Sequence, residues 1–308
     1  MEFVRAARNP WGENVLLGLA WDVLWLVVAA GLIFVVVHAI FARKKEGRGA
    51  ELQARDASFV ASLPAKILRH TRSARICHWV LAVATFVLLI TAFVPILGLQ
   101  FPWVTIHWIA GVFFTAYIIY HIFDTVRRKT LGTMWIDGVE VREAMDRTRQ
   151  FFQRTEDPET RPGKWGTENK VFHHITGLAG VAVAITGLLM MARVDTWFWN
   201  ANPYFMALSD PLWGWIYVLH GLAAVGFVGL LIAHIYFAIR PDKLYLTRSM
   251  FKGWITRDEY LEHYNPERWR VDPEGREIRK PAGASGGAST TAAPATSSER
   301  AAPDETGN

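Results

Sequence analysis

Residues 215–240 read WIYVLHGLAAVGFVGLLIAHIYFAIR, an apolar run that contains His220 and His234. The run is long enough to form a membrane-spanning helix. An imidazole in hydrocarbon is costly unless it is bonded, so intramembrane histidines indicate a functional site. Fourteen helical steps correspond to about 21 Å and nearly four turns. Both rings are therefore predicted to face one side of the helix, at two different depths.

Four further apolar runs accompany this one in a chain of 308 residues. Hydrophobic residues make up 51% of the sequence, and Lys and Arg lie outside the runs or at their ends. Each run is about long enough to cross a hydrocarbon core of roughly 30 Å as a helix. We therefore predict an all-α integral membrane protein, a four-helix bundle plus one N-terminal helix, with spans at about 15–41, 79–97, 104–123, 171–191 and 214–239.

The distribution of basic residues predicts the orientation of the chain. Lys and Arg number nine in 42–77, ten in 125–170 and eleven in 240–308, but none in 98–103 and one in 192–213. Basic connections tend to stay in the cytoplasm. We therefore predict a multi-pass protein of a bacterial inner membrane, with a periplasmic N-terminus and a cytoplasmic C-terminus. The net charge of +5 then reflects topology rather than nucleic-acid binding.

The first apolar run and the cysteine content exclude several classes of protein. The run is longer than the apolar core of a signal peptide, and no small-residue cleavage site precedes the basic cluster after it. We interpret it as a retained anchor helix. The single cysteine, Cys77, excludes an internal disulfide, a cysteine-based zinc or iron–sulfur site and the C-x-x-C-H attachment of c-type haem.

The chain is predicted to contain four parts. Residues 1–45 form an N-terminal transmembrane anchor helix, 46–77 a cytoplasmic linker and 78–270 the four-helix domain. Residues 271–308 form a disordered cytoplasmic tail, because Gly, Ser, Thr, Ala and Pro dominate from about residue 281. The charged stretch DGVEVREAMDRTRQFFQRTED, between the second and third helices of the domain, is predicted to be a partly helical surface segment.

The fourteen-residue spacing of histidines occurs twice. His107 and His121 repeat it on the second of the four later helices, and His78 opens the first. The predicted topology puts His107 and His220 at the outer depth, and His78, His121 and His234 at the inner depth. Two imidazoles at one depth on facing helices can supply both axial ligands of a haem iron. The pattern therefore predicts two haems stacked across the bilayer, about 20 Å apart.

The residues around the paired histidines, and the remaining histidines, also carry predictions. Small residues near the pairs would let a flat macrocycle approach the helices; they are Gly111, Gly221, Ala223, Ala224 and Gly226. A zinc site is disfavoured, because the pairs lie far apart and no carboxylate or thiolate accompanies them. The remaining histidines are interpreted as interfacial or bonded to a quinone headgroup (His173, His174), structural (His38) and solvated (His70, His263).

Several sequence motifs resemble the cytochrome b (gamma) subunit of membrane-bound respiratory formate dehydrogenases. They are RICHW, IHWIAGV, GKWGTENKVF, VLHGLAAV with LIAHIY, and GWITRDEY followed by HYNPERW. The similarity covers roughly residues 70–270. The paired histidines are shared with cytochrome b subunits of hydrogenases and of thiosulfate or polysulfide reductases. The tract before the third helix and the Trp-rich ending favour formate dehydrogenase.

The resemblance implies two b haems, with His107 and His220 as axial ligands of the outer one and His78 and His234 of the inner one. It also implies reduction of a quinone, menaquinone or ubiquinone, beside the inner haem. Formate would be oxidised on a molybdenum or tungsten (alpha) subunit, and electrons would pass through an iron–sulfur (beta) subunit. This chain has no molybdopterin-binding domain and no cysteines for clusters, so we assign it no catalytic residue of formate oxidation.

Two positions depart from the pattern of that family. His121 stands where the family usually has an apolar residue, and it could replace His78 as the inner partner of His234. Gly166 stands where the family commonly has Asn in the quinone pocket. The predicted quinone neighbourhood therefore consists of Gly166, Glu168 and His234.

The sequence leaves two other functions open. The first is the same electron carrier serving a hydrogenase or a thiosulfate or polysulfide reductase. The second belongs to another class, a haem-free membrane anchor whose histidines form a proton relay. A b-type absorption band in the purified chain would separate the haem-binding hypotheses from the haem-free one.

Overall fold

Five long apolar helices dominate the fold. The computed structural model describes residues 3–41, 57–128, 131–153 and 161–278. Within these ranges, the helices long and apolar enough to cross a membrane are α1 (Trp21–Phe41), α3 (Arg72–Phe93), α4 (Trp103–Arg127), α6 (Thr167–Met191) and α7 (Asp210–Ile239). The predicted all-α membrane class is therefore confirmed.

Shorter elements lie between and after the long helices. The helices are α2 (Ala57–Ser62), α5 (Gly138–Gln153), α8 (Leu244–Lys252) and α9 (Arg257–His263). The strands are β1 (Val4–Arg8), β2 (Asn14–Leu19), β3 (Lys66–Leu68) and β4 (Trp254–Thr256). Single 3-10 turns cover Val94–Leu97, Leu131–Met134, Phe205–Ala207 and Pro241–Lys243. Helix α5 lies in the charged stretch where a surface helix was predicted.

Helix α3 begins ahead of the boundary predicted at residue 78. The Thr71 hydroxyl caps it by accepting a hydrogen bond from the backbone nitrogen of Ala74 at 3.2 Å. The first turn of the helix is polar and precedes the apolar run, so a boundary placed by apolarity alone falls several residues after the true start of α3. At the other end, the turn Val94–Leu97 stops at Gly98, whose φ of 87° suits glycine.

The N-terminal segment contains a β-hairpin that apolarity did not predict. Strands β1 and β2 pair antiparallel, and β2 lies against the start of α7. A Cβ at Gly214 would lie 2.7 Å from the carbonyl oxygen of Leu16, so this close approach requires glycine. The helix predicted over 15–41 is therefore wrong at its start. Gly18, with φ of 147°, has a conformation that no helix interior accepts. We call this side of the molecule the hairpin end.

Helix α1 packs along α7. A Cβ at Gly31 would lie 3.1 Å from Cδ1 of Ile232, so the glycine lets the two helices approach closely. Farther along α1, His38 Nδ1 lies 2.9 Å from the hydroxyl oxygen of Tyr236. These contacts give His38 a structural role between the two helices, as the sequence suggested.

Residues 57–71 and 240–278 fold together at the opposite end of the bundle, and we call this unit the cap. Strand β3 pairs antiparallel with β4. The buried apolar residues of the cap are Leu63, Ile67, Ile255, Tyr260, Leu261, Tyr264 and Trp269. The predicted linker over 46–77 is therefore wrong from residue 57 onward, because two of its apolar residues belong to this core. Residues 42–56 lie outside the described residues.

The cap also contains the start of the predicted disordered tail. Val271 and Glu277 form an antiparallel bridge, and the backbone nitrogen of Leu68 donates to the carbonyl oxygen of Gly275 at 2.8 Å. The prediction of disorder is therefore wrong for 271–278, because these residues hydrogen-bond to each other and to β3. Residues 279–308 lie outside the described residues.

Replacing Gly275 with Ala should loosen the cap. Gly275 has φ of 78°, and an added Cβ would collide with the carbonyl oxygen of Lys66. We expect a loss of about 2–3 kcal/mol, since left-handed strain and overpacking add. The measurement is the rate of trypsin cleavage after Arg268. Gly98→Ala is the matched control, because Gly98 also has positive φ but open space beside it. Equal cleavage in both variants would contradict the close packing of Gly275 against Lys66.

Candidate functional site

Two histidines meet between α4 and α7 near the hairpin end. The ring centroids of His107 and His220 lie 6.3 Å apart, with an angle of 69° between the ring planes. Two imidazoles on opposite sides of one metal ion have centroids about 6 Å apart, since the metal–nitrogen bond is about 2 Å and the ring centre lies about 1 Å farther. We call these two residues the hairpin-end pair, and their spacing suits two axial ligands of one iron.

A threonine of α3 holds the His107 ring. His107 Nδ1 lies 2.8 Å from Thr91 Oγ1. The Thr91 hydroxyl has one proton, and it donates that proton to the carbonyl oxygen of Val87 at 2.7 Å. The same hydroxyl lies 3.0 Å from the carbonyl oxygen of Leu88. Nδ1 must therefore be the protonated nitrogen, which leaves the lone pair of Nε2 free to bind a metal.

The same arrangement occurs at the other member of this pair. His220 Nδ1 lies 2.8 Å from Oγ1 of Thr186 on α6. The Thr186 hydroxyl donates to the carbonyl oxygen of Ala182 at 2.6 Å. Again Nδ1 is the donor, and Nε2 is free. The two neighbouring helices thus orient both imidazoles in the same way.

Neither threonine was predicted from the sequence. Both are buried, with 2% of Thr91 and 7% of Thr186 exposed. A hydroxyl in an apolar helix usually bonds to its own backbone and attracts no attention. Their depth is the signal that could have indicated them. Each threonine lies near the end of its helix that reaches the hairpin end of the bundle, which is also where the hairpin-end pair lies. Depth alone could not show which threonine faces a histidine.

A second pair of histidines lies nearer the cap. The ring centroids of His78, on α3, and His234, on α7, are 6.1 Å apart, with an angle of 49° between the planes. Phe172 of α6 stacks on His234 with centroids 5.5 Å apart. Within the described part of the chain, no hydrogen bond joins the ring of His78 or His234 to another residue. We call His78 and His234 the cap-end pair.

His121 lies elsewhere in the bundle. Its ring faces His173 of α6, with centroids 5.9 Å apart, and its Nδ1 is 3.9 Å from Cys77 Sγ. The structure therefore brings His78, rather than His121, to His234. His173, which was interpreted as interfacial, becomes the neighbour of His121. The next residue, His174, has its Nε2 3.0 Å from the carbonyl oxygen of Met134.

The small residues near the pairs differ in their surroundings. A Cβ added at Gly111 would meet only Leu88 at 3.9 Å, and one at the exposed Gly226 would have no heavy atom within 4 Å. The paired imidazole donors fit the ligands of a b-type haem at each pair. Gly221 differs, because a Cβ there would lie 3.2 Å from Leu19 of β2. The prediction that Gly221 makes room for the macrocycle is therefore wrong.

The residues of the predicted quinone neighbourhood lie at the start of α6 and on α7. Gly166 precedes the first residue of α6 with an extended backbone, and Glu168 Oε1 accepts from Arg147 of α5 at 3.0 Å. No hydrogen bond or ring contact joins Gly166 or Glu168 to His234 among the residues that the structure describes. Instead, the start of α6 is fixed by Lys170, whose Nζ is 2.6 Å from a carboxylate oxygen of Glu140.

Two histidines predicted to be solvated belong to the cap. The partly buried His70 lies 5.5 Å from the ring of Trp165, and burial, with the nearby Arg69 guanidinium, lowers the pKa of His70 to about 3. His70 is therefore neutral at physiological pH. His263 stacks on Tyr245 with centroids 4.3 Å apart. The predictions of solvation are wrong, because the chain after α7 folds back over these residues.

The architecture now defines a class of protein. A four-helix core in the membrane carries two pairs of imidazoles, each on facing helices and at the spacing that one iron requires. These are the features of a membrane cytochrome b. A family model, the prokaryotic cytochrome b561, matches residues 69–253. Because the match covers more than half of the chain and includes all four paired histidines, this chain belongs to that family. No curated protein sequence matches it.

Membership of this family fixes the general function. The protein is a multi-pass inner-membrane cytochrome b that binds b haem and takes part in electron transfer. The β-hairpin, α1, and cap residues 57–68 and 254–278 lie outside the matched residues. The β-hairpin and α1 both pack against α7.

Proposed function

We propose that this chain is the cytochrome b (gamma) subunit of a membrane-bound formate dehydrogenase. It would pass electrons from an iron–sulfur subunit through two b haems to quinone. The observation that carries the proposal is the arrangement along α7, where two depths each bring a second imidazole to about the distance that one iron spans. A single-haem carrier would need only one such pair.

The two tracts that resemble formate dehydrogenase most specifically pack against each other. Lys164 Nζ of the GKWGTENKVF tract lies 5.7 Å from the centre of the Trp269 ring, the last residue of HYNPERW. A Cβ added at Gly163 would lie 3.3 Å from Cβ of Arg268, so the two backbones approach closely there. Just before the first tract, the carbonyl oxygen of Pro162 accepts a hydrogen bond from the backbone nitrogen of Asn265 at 3.0 Å. These contacts support reading the two tracts as one structural unit.

The proposal assigns a role to each pair of histidines. His107 and His220 hold the outer haem, and His78 and His234 hold the inner one. When bound, each b haem supplies a centre that takes up and releases one electron. The hairpin end is periplasmic and the cap is cytoplasmic, as the basic residues of the cap favour. Menaquinone or ubiquinone is reduced near His234, with protons taken from the cytoplasm, so that turnover is electrogenic.

Isolation of the complex through a tag on this chain tests the proposal. We expect an iron–sulfur (beta) subunit and a molybdenum or tungsten (alpha) subunit to copurify, and formate to reduce a b-type absorption band. In vesicles with quinone, formate should generate a membrane potential. His234→Ala should abolish quinone reduction and leave formate oxidation with a soluble dye unchanged, because formate is oxidised on the alpha subunit.

Three other outcomes would refute parts of the proposal. Copurification of a hydrogenase or a sulfur-compound reductase in place of formate dehydrogenase would show that the chain is the cytochrome b subunit of that other enzyme. The absence of a b-type band would favour a haem-free anchor. Quinone reduction without a membrane potential would show that turnover is not electrogenic.

A further inference from the structure

The two pairs of histidines differ in what holds their rings. Each imidazole of the hairpin-end pair donates from Nδ1 to a threonine oxygen at 2.8 Å. The described residues provide no hydrogen bond for either imidazole of the cap-end pair. The difference is built into the sequence of the two neighbouring helices, because α3 and α6 each place one threonine at the hairpin end and none against His78 or His234.

Donation from Nδ1 changes the ligand at Nε2. An imidazole whose Nδ1–H is hydrogen-bonded is a more basic ligand, and its ring is held in one tautomer and orientation. A more basic axial ligand favours the oxidised iron and lowers the reduction potential. Each threonine oxygen is also a stronger acceptor than usual, because the same hydroxyl donates to a helix carbonyl at 2.7 Å for Thr91 and 2.6 Å for Thr186.

We infer that Thr91 and Thr186 are positioning residues that keep the reduction potential at the hairpin-end pair below that at the cap-end pair. The inference rests on the proposed function, in which both pairs hold a b haem. A lower potential at the hairpin end favours passage of electrons toward the cap, where the quinone is proposed to react. The direction of transfer is then partly set by two hydroxyls that contact no cofactor.

Potentiometric titration of the purified complex, followed at the b-type absorption band, tests the inference. Thr91→Val and Thr186→Val keep the side-chain shape and remove the hydroxyl. We expect each to shift the reduction equilibrium of the hairpin-end haem about threefold toward the reduced form. The double variant should shift it about tenfold, or 59 mV for one electron. The hairpin-end haem is identified as the one that His220→Ala removes.

Matched variants separate the hydrogen bond from general effects on folding. Thr91→Ser and Thr186→Ser retain the hydroxyl and should restore the original potential. Thr85→Val changes another threonine of α3 that does not contact His107, and it should shift neither haem. A double valine variant that binds both haems and shifts the hairpin-end equilibrium less than twofold would overturn the inference.

A measurement on the unmodified complex covers the case in which valine prevents haem binding. Infrared difference spectra between the oxidised and reduced states, with 15N-labelled histidine, report hydrogen bonding at Nδ1. We expect a bonded Nδ1–H signal that follows the hairpin-end haem and is absent for the cap-end haem; the same signal at both haems, or at neither, would overturn the inference. If the purified, unmodified complex contained no b haem, the proposed function itself would be refuted.

Discussion

His220→Ala should remove one b haem and leave the other in place. Its imidazole is one of the two that face each other across 6.3 Å, and nothing in the described residues near it can replace the lost nitrogen. The absorbance of the b-type band and the haem extracted from the purified chain should therefore fall to about half, because two separate sites share the total. His107→Ala should have the same effect, since an iron bound by one imidazole is held far more weakly.

A histidine outside both pairs provides the control for this experiment. His174 bonds to the backbone of Met134 and faces neither pair, so His174→Ala should retain the full haem content. Replacing His107 and His220 together should give no further loss beyond that of either single variant. Full haem content in both single variants would show that the hairpin-end pair binds no haem.

His78→Ala and His121→Ala should have opposite outcomes. The ring of His78 lies 6.1 Å from that of His234, whereas His121 faces His173 and Cys77. We therefore expect His78→Ala to lose the cap-end haem and about half of the total haem, and His121→Ala to retain both haems. The measurement is the haem count together with the reduced-minus-oxidised spectrum.

The His234→Ala variant sets the reference for that comparison. The variant should lose the cap-end haem whether His78 or His121 is the partner of His234. Its spectrum therefore shows what loss of the cap-end haem looks like. If His121→Ala reproduced that spectrum and His78→Ala did not, the ligand assignment at the cap end would have to be reversed. The two substitutions are well matched, since both remove an imidazole from the same end of neighbouring helices.

The long helices were predictable because their signal is local. A run of apolar residues must cover its backbone polar groups by forming a helix in hydrocarbon, whatever its neighbours are. The same locality made the spacing of His220 and His234 informative, since residues fourteen apart share a helix face. The β-hairpin was missed for the converse reason. Residues 15–19 are apolar enough for a helix, and the strand is favoured by their pairing with β1 and their contact with Gly214 of α7.

The cap shows a second limit of the sequence. Arg69 and His70 are polar residues between helices, a pattern typical of solvated loops. Arg69 is nevertheless buried and His70 partly buried, because both backbone nitrogens donate to the carbonyl oxygen of Gly253, nearly two hundred residues away along the chain. Composition also marked the tail as disordered too early, because the bond between Leu68 and Gly275 cannot be inferred from residue content.

The sequence by itself determined the membrane class, the five spans and the four paired histidines as candidate ligands, because apolarity and helical spacing act within one segment. It left His78 and His121 as alternatives, since spacing gives a helix face but not the partner that this face meets. Only the tertiary structure decided that choice and revealed Thr91 and Thr186. The physical reason is that the tilt and packing of α3, α4, α6 and α7 against one another decide which side chains meet at each depth.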